Sequence, residues 1–397
     1  MTADLISGRL GGDQFPARVL GREHRRYPAG EGEREAFADL LNWSDLNTLL
    51  AHQRLDSPRM RLAAGGVVDA GAYTRLRQYR RMPNWNQPVP HLFQQQLKEG
   101  ATLVLDAIDE MHPPIGRLIS ELEAWLRTGI QVNAYASWTS REGFGVHWDD
   151  HDVIVLQVSG RKRWRIYGNT RLAPLHEDVE FAEEEPTEII DEFVMAPGDV
   201  LHVPRGCWHA VAASEGEPSL HLTCGLVTTT GVNFLRWLVN DLVGHDEVRA
   251  DVPRAAAEHA LWARRISKLV SDRLRSPEVV EEYWRSQDET SAARPVFSLP
   301  VAVTGDLTLS SVVRFASLRG TVTSERTQAG DEVVYAAQGR RWRLSAKVAP
   351  AIAHLNRNGP TSVKELHELV PDVSEKALLG LLRRLMDDGA LAWEGTV

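Results

Sequence analysis

Short apolar segments separated by turn residues fill the middle of the chain, between residues 130 and 227. Ile130–Ser137 and the run VIVLQV at 153–158 have the length and composition of strands, and no convincing helical period interrupts them. Short strands joined by glycine and proline turns are typical of a double-stranded β-helix, also called a jelly roll. We therefore predict a mainly β fold with added helices (α+β), in which small ligands bind at the mouth of the barrel.

Helical periodicity appears on the N-terminal side of this stretch. Residues 90–100 and 113–129 predict two helices that end at Gly100 and Gly129, and the apolar segment 101–108 between them predicts a strand. The segment NWSDLNTLL predicts an earlier helix with Ser44 as its N-cap. These elements precede the barrel and are expected to pack on it.

The last part of the chain has a different pattern. Residues 237–283 carry apolar side chains three and four positions apart, a stripe broader than one helix pair easily buries. A polar linker at 286–295 is followed by strand-like segments, then three helices, a strand and a glycine. That order is typical of a winged-helix domain with 374–386 as the recognition helix. The predicted domains are the barrel at 1–235, a helical segment at 236–292 and a winged-helix-like domain at 293–397.

Composition restricts where the protein acts and what it binds. The 397 residues include 43% hydrophobic residues and 12 tryptophans, enough for several cores. Two cysteines argue against a disulfide framework. The N-terminus lacks the apolar stretch of a signal peptide, and no apolar run reaches the roughly 18 residues of a membrane span, so we expect a cytoplasmic protein. A net charge of −9, with nine basic against seven acidic residues from position 340 onward, argues against nucleic-acid binding.

Two histidines and an aspartate are candidates for a metal site. In an extended strand His147 and Asp149 project to the same side, because alternate side chains share a face. His209 follows the turn PRGCW, which can direct one strand back toward another. Two imidazoles and one carboxylate leave coordination positions open, as in the facial triad of non-haem Fe(II) oxygenases. The alternative is a structural zinc ion, which prefers a closed set of four ligands.

Three further side chains are candidates for binding a dicarboxylate. Lys162 shares a strand face with Trp164 and Ile166, so we expect it to point inward, where an ammonium is costly without an anionic partner. Asn133 and Tyr135 share one face of an earlier strand. The ammonium would take the distal carboxylate, and the amide and phenol would supply further hydrogen bonds.

These motifs resemble those of the JmjC-type, 2-oxoglutarate-dependent ribosomal oxygenases, also called the cupin-4 group. The matching segments are NAY at 133–135, HWDDHDVIVLQVSGRKRW at 147–164 and GDVLHVPRGCWHA at 198–210. The resemblance implies catalytic Fe(II) and bound 2-oxoglutarate. The implied iron ligands are His147, Asp149 and His209, and the implied 2-oxoglutarate residues are Lys162, Tyr135 and Asn133.

The resemblance also implies a substrate and an assembly. The substrate would be an arginine or histidine side chain of a ribosomal protein, hydroxylated at the β carbon, and the helical segment would form a homodimer. A winged-helix domain at the C-terminus belongs to the same pattern. One residue departs from it, because no histidine is expected at His151, two positions after the aspartate.

Several alternatives stay open. The substrate could instead be a peptide natural-product precursor or another small substrate. A different class of protein, a regulator, would combine a DNA-binding winged helix with a barrel that senses iron or 2-oxoglutarate; the triad with Lys162 favours an enzyme. The segment 177–199, with ten acidic and no basic side chains, is either a solvated loop or a rim that attracts a basic polypeptide. His202 is expected to be a hydrogen-bonded barrel residue, whereas His221 either contacts the cofactor or packs in the barrel.

Overall fold

The chain divides into two compact units, Met1–Thr228 and Thr229–Val397. The computed structural model describes residues 2–78, 80, 84–180, 184–213, 216–292, 294–317, 323–326 and 330–396. The prediction of three domains stays a prediction. Parts of the acidic segment 177–199, including Glu183, lie outside the described residues.

The first unit combines helices near its start with a barrel of strands. Its helices are α1 (Thr2–Leu10), α2 (Gln14–Arg18), α3 (Trp43–His52), α4 (Pro90–Lys98) and α5 (Pro113–Leu126). Its strands are β1 (Arg25–Tyr27), β2 (Met60–Ala63), β3 (Thr74–Arg77), β4 (Trp85–Pro88), β5 (Thr102–Leu105), β6 (Ile130–Ser137), β7 (Asp152–Ser159), β8 (Lys162–Asn169), β9 (Asp191–Met195), β10 (Val200–Val203), β11 (Cys207–Ala213) and β12 (Ser219–Leu226).

Two antiparallel sheets form the predicted jelly roll. The larger sheet has the order β1-β10-β7-β12-β6-β5-β2, and the smaller one has the order β11-β8-β9. Strands β3 and β4 make a separate hairpin. Side chains from both sheets meet in an inner apolar cluster, which consists of Val153, Val155, Trp164, Ile166, Met195, Leu201, Val203 and Cys207.

Strand β7 is buried on both faces, which explains its nearly continuous apolar sequence. Val153 and Val155 face the inner cluster, whereas Ile154 and Leu156 join the outer core, where helices of this unit cover the larger sheet. Two predictions are confirmed here. Strand β6 has the predicted bounds, and in β8 the side chains at 162, 164 and 166 are buried while their neighbours are partly exposed.

Two predicted helix ends are wrong. Helix α3 is capped by Asn42, whose Oδ1 accepts hydrogen bonds from the backbone N–H groups of Ser44 (2.8 Å) and Asp45 (3.0 Å), so Ser44 lies inside the helix. Helix α5 ends at Leu126, and the left-handed residue after it is Arg127 (φ 52°) rather than Gly129. The physical reason is that Gly129 already extends the sheet, with its carbonyl accepting from Val227 N–H at 2.8 Å.

The turn that connects β7 to β8 depends on a glycine. Gly160 has φ +63°, and a Cβ atom there would lie 1.9 Å from the carbonyl oxygen of Pro218. A side chain at this position would therefore separate the turn from the segment that leads into β12. Gly206, in the predicted turn before β11, also has a positive φ (+74°).

A buried carboxylate attaches the N-terminal segment to the barrel. Asp152 accepts hydrogen bonds from Gly21 N–H (2.5 Å), Arg205 N–H (3.2 Å) and His202 Nε2 (3.0 Å). Burial alone would raise the pKa of Asp152, but the hydrogen bonds, first that from His202, lower it below its usual value. The Nδ1 atom of His202 lies 2.9 Å from the Glu23 carbonyl oxygen, so His202 is the hydrogen-bonded barrel residue that we predicted.

The second unit begins with helices and continues with small sheets. Its elements are α6 (Gly231–Asp241), α7 (Asp246–Arg249), α8 (Ala256–Leu274), α9 (Val279–Thr290), α10 (Val301–Thr304), β13 (Ser311–Phe315), β14 (Thr323–Arg326), β15 (Glu332–Ala337), β16 (Arg340–Ser345), α11 (Ala349–Asn358), β17 (Thr361–Ser362), α12 (Val363–Glu368), α13 (Glu375–Asp387) and β18 (Leu391–Thr396). Its sheets have the orders β17-β13-β18 and β14-β15-β16. Across the part of the chain that the structure describes, no helix has both the length and the apolar composition to cross a membrane.

Candidate active site

The candidate metal ligands meet where a loop crosses the start of β11. His147 lies in the loop before β7 and forms a two-bond bridge with His209, each N–H donating to the other carbonyl at 3.0 and 2.8 Å. Beyond the bridge the Asp149 carbonyl accepts from Gly206 N–H at 2.8 Å. The prediction that His147 and Asp149 lie in a regular strand is therefore wrong, because this segment makes an isolated bridge to His209 and a hydrogen bond to Gly206 instead of a continuous ladder.

Backbone carbonyls orient both imidazoles. The Nδ1 atom of His147 lies 3.1 Å from the Gly145 carbonyl oxygen, and that of His209 lies 2.9 Å from the Cys207 carbonyl oxygen. Donation from each Nδ1–H leaves each Nε2 with a lone pair for a metal. One donor atom from each of His147, Asp149 and His209 lies within 4.8 Å of the others, so the structure brings the three predicted ligands together.

His209 is held in the form that binds metals. Burial, and then the charge of neighbouring His147, lower the pKa of His209 to about 4. The imidazole is consequently neutral at physiological pH. The pairing of β11 with β8 shifts register between Trp208 and His209, and such bulges are frequent beside active sites.

A cavity of about 550 Å³, including its open mouth, contains this group. Its wall combines the metal candidates with apolar side chains and a few polar ones. The lining residues are Thr102, Tyr135, Gly143, Phe144, Gly145, His147, Asp149, Val153, Lys162, Trp164, His209, Val211, His221 and Thr223.

Lys162 is buried in this cavity, as predicted from its strand face, with 2% of its surface exposed. Its ammonium donates a hydrogen bond to Ser137 Oγ, and the described residues provide it with no carboxylate partner. Burial lowers the pKa of Lys162 to about 7. Sequence reasoning missed Ser137, although its position two residues after Tyr135 on β6 places it on the same face of the strand.

Tyr135 and His221 stack against each other in the wall of the cavity, with ring centroids 4.9 Å apart and planes 2° from parallel. Burial, and then the charge of Asp149, raise the pKa of Tyr135. Burial, and then the charge of Lys162, lower the pKa of His221. Within the described part of the chain, His221 Nδ1 has no hydrogen-bond partner. The cavity therefore contains a protonated phenol, a neutral imidazole and a buried amine.

Two other polar residues lie away from the cavity lining. The Oδ1 atom of Asn133 accepts from Ala107 N–H and from Gln131 Nε2, both at 3.1 Å. His151, the departure from the family pattern, has its Nδ1 atom 2.8 Å from Asp150 Oδ1. Among the described residues, the candidate metal group does not include His151.

The strands β6–β12 and the three candidate metal ligands lie in a part of the chain that matches a known domain family. Residues 112–234 match the family model described as JmjC domain. Residues 112–234 are thus similar to a JmjC domain, and the resemblance inferred from the motifs is confirmed.

Individual relatives are similar over parts of the chain. The chain is 35% identical over 107 residues to "Bifunctional lysine-specific demethylase and histidyl-hydroxylase NO66" of Drosophila persimilis, an alignment that covers 27% of this chain and 16% of that protein. It is 26% identical over 190 residues to "Ribosomal oxygenase 1" of Homo sapiens, covering 47% of this chain and 28% of that one. The chain spans less than a third of the length of the curated relatives that it matches.

A solved structure has the same fold over nearly the whole chain. YcfD, described as a ribosomal oxygenase from Escherichia coli in complex with cobalt and 2-oxoglutarate, aligns with 96% of this chain and 98% of its own. The TM-score is 0.55 and the sequence identity is 19%. This likeness confirms the predicted jelly roll with added helices.

Removing a candidate ligand is expected to abolish metal binding. His147→Ala and Asp149→Ala should each weaken Co(II) affinity by more than about 100-fold, beyond the loss typical of residues that only orient a ligand. Titration followed by visible absorption measures the affinity. His176→Ala is the matched control, because this exposed imidazole interacts with Asp150 rather than with the cavity. Unchanged cobalt affinity in either ligand variant would show that the metal group is assigned wrongly.

Proposed function

We propose that the protein is an Fe(II)- and 2-oxoglutarate-dependent oxygenase that hydroxylates an arginine or histidine side chain of a ribosomal protein. One observation carries the proposal: two imidazoles and a carboxylate converge in a cavity beside a buried ammonium with no carboxylate partner among the described residues. Bound iron and 2-oxoglutarate would supply oxygen activation, with succinate and carbon dioxide as coproducts. The protein would bind, orient and exclude water.

His147, Asp149 and His209 would hold the iron. Two imidazoles and one carboxylate suit Fe(II) and leave positions open for other ligands. A structural zinc site fits less well, since the described residues bring no fourth histidine, cysteine or carboxylate to the group.

Lys162 would bind the distal carboxylate of 2-oxoglutarate. A desolvated ammonium without a charge partner is costly, and an anion in the cavity would offset that cost. Tyr135 has a raised pKa, so its hydroxyl stays protonated and can donate a hydrogen bond. Asn133 would assist from the same face of β6, two residues before Tyr135, where Ala107 N–H and Gln131 Nε2 donate to its side chain. The Nδ1 atom of His221, which has no hydrogen-bond partner among the residues that the structure describes, is a further polar group for the same ligand.

Apolar side chains would keep water from the reacting atoms. Phe144, Val153, Trp164 and Val211 line the cavity beside the metal group. A dry wall of this kind strengthens the electrostatic interactions inside the cavity and prevents side reactions.

The names of the relatives and the charge of a nearby segment support a basic protein substrate. The relatives include proteins named histidyl-hydroxylase and ribosomal oxygenase. His176, the residue before the acidic segment, has its Nδ1 atom 2.6 Å from Asp150 Oδ2, and Asp150 follows a candidate metal ligand. The segment therefore begins beside the site, where its charge would attract a basic polypeptide. A ribosomal substrate would also agree with the cytoplasmic location predicted from the sequence.

For the second unit, we propose dimerisation through the helical segment and a winged-helix arrangement near the C-terminus. Exposed apolar side chains on the helices support an interface, among them Leu235 (54% exposed), Val239 (59%) and Leu261 (55%). The succession α11, β17, α12, α13 and β18 supports the winged helix. Sedimentation of the full chain measures its oligomeric state, and a dimer is expected.

Loss of the gene should change the mass of one ribosomal protein. Intact-mass spectrometry of all ribosomal proteins from the source organism, with and without the gene, is expected to show one protein lighter by one oxygen atom in the deletion strain. Complementation with the intact gene should restore the mass, and complementation with His147→Ala should not. Identical masses in all strains would contradict a ribosomal substrate, and peptides encoded beside the gene would be examined next.

Affinity for 2-oxoglutarate should depend on pH through Lys162. The amine, with a pKa of about 7 without ligand, is charged below that pH, and binding an anion favours the charged form. Affinity is therefore highest below about pH 7 and falls by up to about tenfold per pH unit as pH rises, until the higher pKa of the complex is passed. Titration calorimetry with Mn(II)-loaded protein at a series of pH values measures the affinity for 2-oxoglutarate.

Two variants at this position separate charge from other effects of pH. Lys162→Arg keeps the metal ligands and a permanent positive charge, so the pH dependence assigned to residue 162 should disappear. Lys162→Met should bind 2-oxoglutarate weakly at every pH. A wild-type affinity that does not change with pH, or the same pH dependence in Lys162→Arg, would refute the role of the ammonium.

Neutralising the acidic segment should weaken recruitment of a basic peptide. The double variant Glu184→Gln, Glu185→Gln is expected to raise KM for a basic peptide substrate about threefold at low ionic strength, and salt should abolish the difference. The turnover number should not change. Glu99→Gln combined with Glu121→Gln removes two charges elsewhere and is the control. An unchanged KM at low salt would mean that the segment is only a solvated loop.

A further inference from the structure

The first unit contains a second, larger cavity outside the barrel. About 2390 Å³ of space, including its open mouth, lies between α3, α4 and the hairpin β3–β4. None of its lining residues lines the candidate active site. We call it the α3–α4 groove; its residues are Trp43, Leu46, Asn47, Leu50, Ala51, His52, Gln53, Arg54, Arg77, Trp85, Gln87, Pro88, Pro90, Phe93, Gln94, Leu97, Lys98, Leu103, Trp138 and Thr139.

Two helices face the groove with regular stripes. On each helix the lining positions follow the spacing i, i+3, i+4, i+7 and i+8, which is one continuous helix face. On α3 they are Trp43, Leu46, Asn47, Leu50 and Ala51, and on α4 they are Pro90, Phe93, Gln94, Leu97 and Lys98.

The apolar part of this surface is incompletely covered. Leu46 (3% exposed) and Phe93 (7%) are buried, but Trp43, Leu50 and Leu97 remain partly exposed. Two helix stripes that face a common gap provide the ridges and grooves into which a third helix packs. A contiguous apolar surface on a folded protein, such as the one that these side chains form, commonly marks a site for another molecule.

The charged side chains that line the groove, among the residues that the structure describes, are all positive. Arg54, Arg77 and Lys98 are exposed and line it, and no aspartate or glutamate is among its described lining residues, although the whole chain has a net charge of −9. Arg54 lies over the Trp85 ring, with Cζ 5.6 Å from the ring centroid, so this cation is held at the groove wall. Local charge therefore favours an anionic occupant and disfavours a basic one.

The groove and the candidate active site lie on opposite faces of the same strands. Thr102 lines the active-site cavity, and the next residue, Leu103, lines the groove. Ser137 bonds the Lys162 ammonium, and the next residue, Trp138, lines the groove. The two sites are thus separated by β5 and the end of β6.

We propose that the α3–α4 groove binds an acidic amphipathic helix of a partner protein. The helix would place its apolar side between the stripes of α3 and α4 and its carboxylates next to Arg54, Arg77 and Lys98. A helix is an occupant that complements the i, i+3, i+4, i+7 positions of two helices that line the same space. This binding is independent of the oxygenase activity, because the groove shares no side chain with the metal cavity.

Selection from a displayed library of helices tests the proposal with the full chain as target. The library holds helices of about 16 residues, roughly 24 Å long, with randomised apolar positions and either an acidic or a basic outer face. Enrichment of acidic helices is expected. The affinity of a selected helix, measured by fluorescence anisotropy, should fall about tenfold or more in Lys98→Glu and in Arg77→Glu, because each substitution replaces attraction by repulsion.

Two further variants locate the binding. Ala51→Trp places a large side chain in the groove at an exposed position. It should also lower the affinity for the selected helix about tenfold, while the circular dichroism spectrum of the protein stays unchanged. Arg18→Glu reverses an exposed charge outside the groove and should bind like the wild type.

Four results would overturn the proposal. The first is that no helix is enriched, and the second is that basic helices are enriched equally. The third is that dodecanoate binds the groove while helices do not, which would assign the groove to a small amphipathic carboxylate. The fourth is self-association of the wild type that Lys98→Glu removes, which would assign the groove to a second copy of this chain.

Discussion

The arrangement of the candidate site depends on the pair of backbone hydrogen bonds between His147 and His209. His147 belongs to a loop that leads into the larger sheet, whereas His209 lies on β11 of the smaller sheet. The bridge therefore joins the two sheets at the position where their side chains could hold one ion. Asp149 is fixed by a neighbouring hydrogen bond, in which its carbonyl accepts from Gly206 N–H in the turn before β11. Without this bridge His209 would lie on a segment that is not attached to the loop that carries His147 and Asp149.

Features that depend on local alternation could be predicted from the sequence. The bounds of β6 and the inward position of Lys162 follow from a period of two residues, which needs no knowledge of distant contacts. The same alternation placed Trp164 and Ile166 beside the lysine. It also explains why the buried amine was recognised as a functional candidate: an unpaired ammonium among apolar neighbours lowers stability unless something negatively charged binds there. Ser137 follows from the same rule, since it lies two residues after Tyr135 on β6.

Features that depend on partners far away in the chain could not be predicted. The segment that carries His147 and Asp149 is a loop because its hydrogen bonds are made with residues some 60 positions later, as the His147–His209 pairing shows. Helix α5 stops before Gly129 because that glycine pairs with Val227, about 100 positions away. The α3–α4 groove is the extreme case. Each helix stripe is visible in the sequence, but the space that both stripes face arises only when helices and hairpin assemble.

A single layer of β-strands, formed by β5 and the end of β6, separates the groove from the metal cavity. Consecutive residues such as Thr102 and Leu103 project to opposite sides, so a shift of β5 by a single position would exchange the linings of both sites. The two surfaces therefore cannot evolve independently. An insertion or deletion in this layer that alters one site also alters the other, and selection on either surface preserves the register of both.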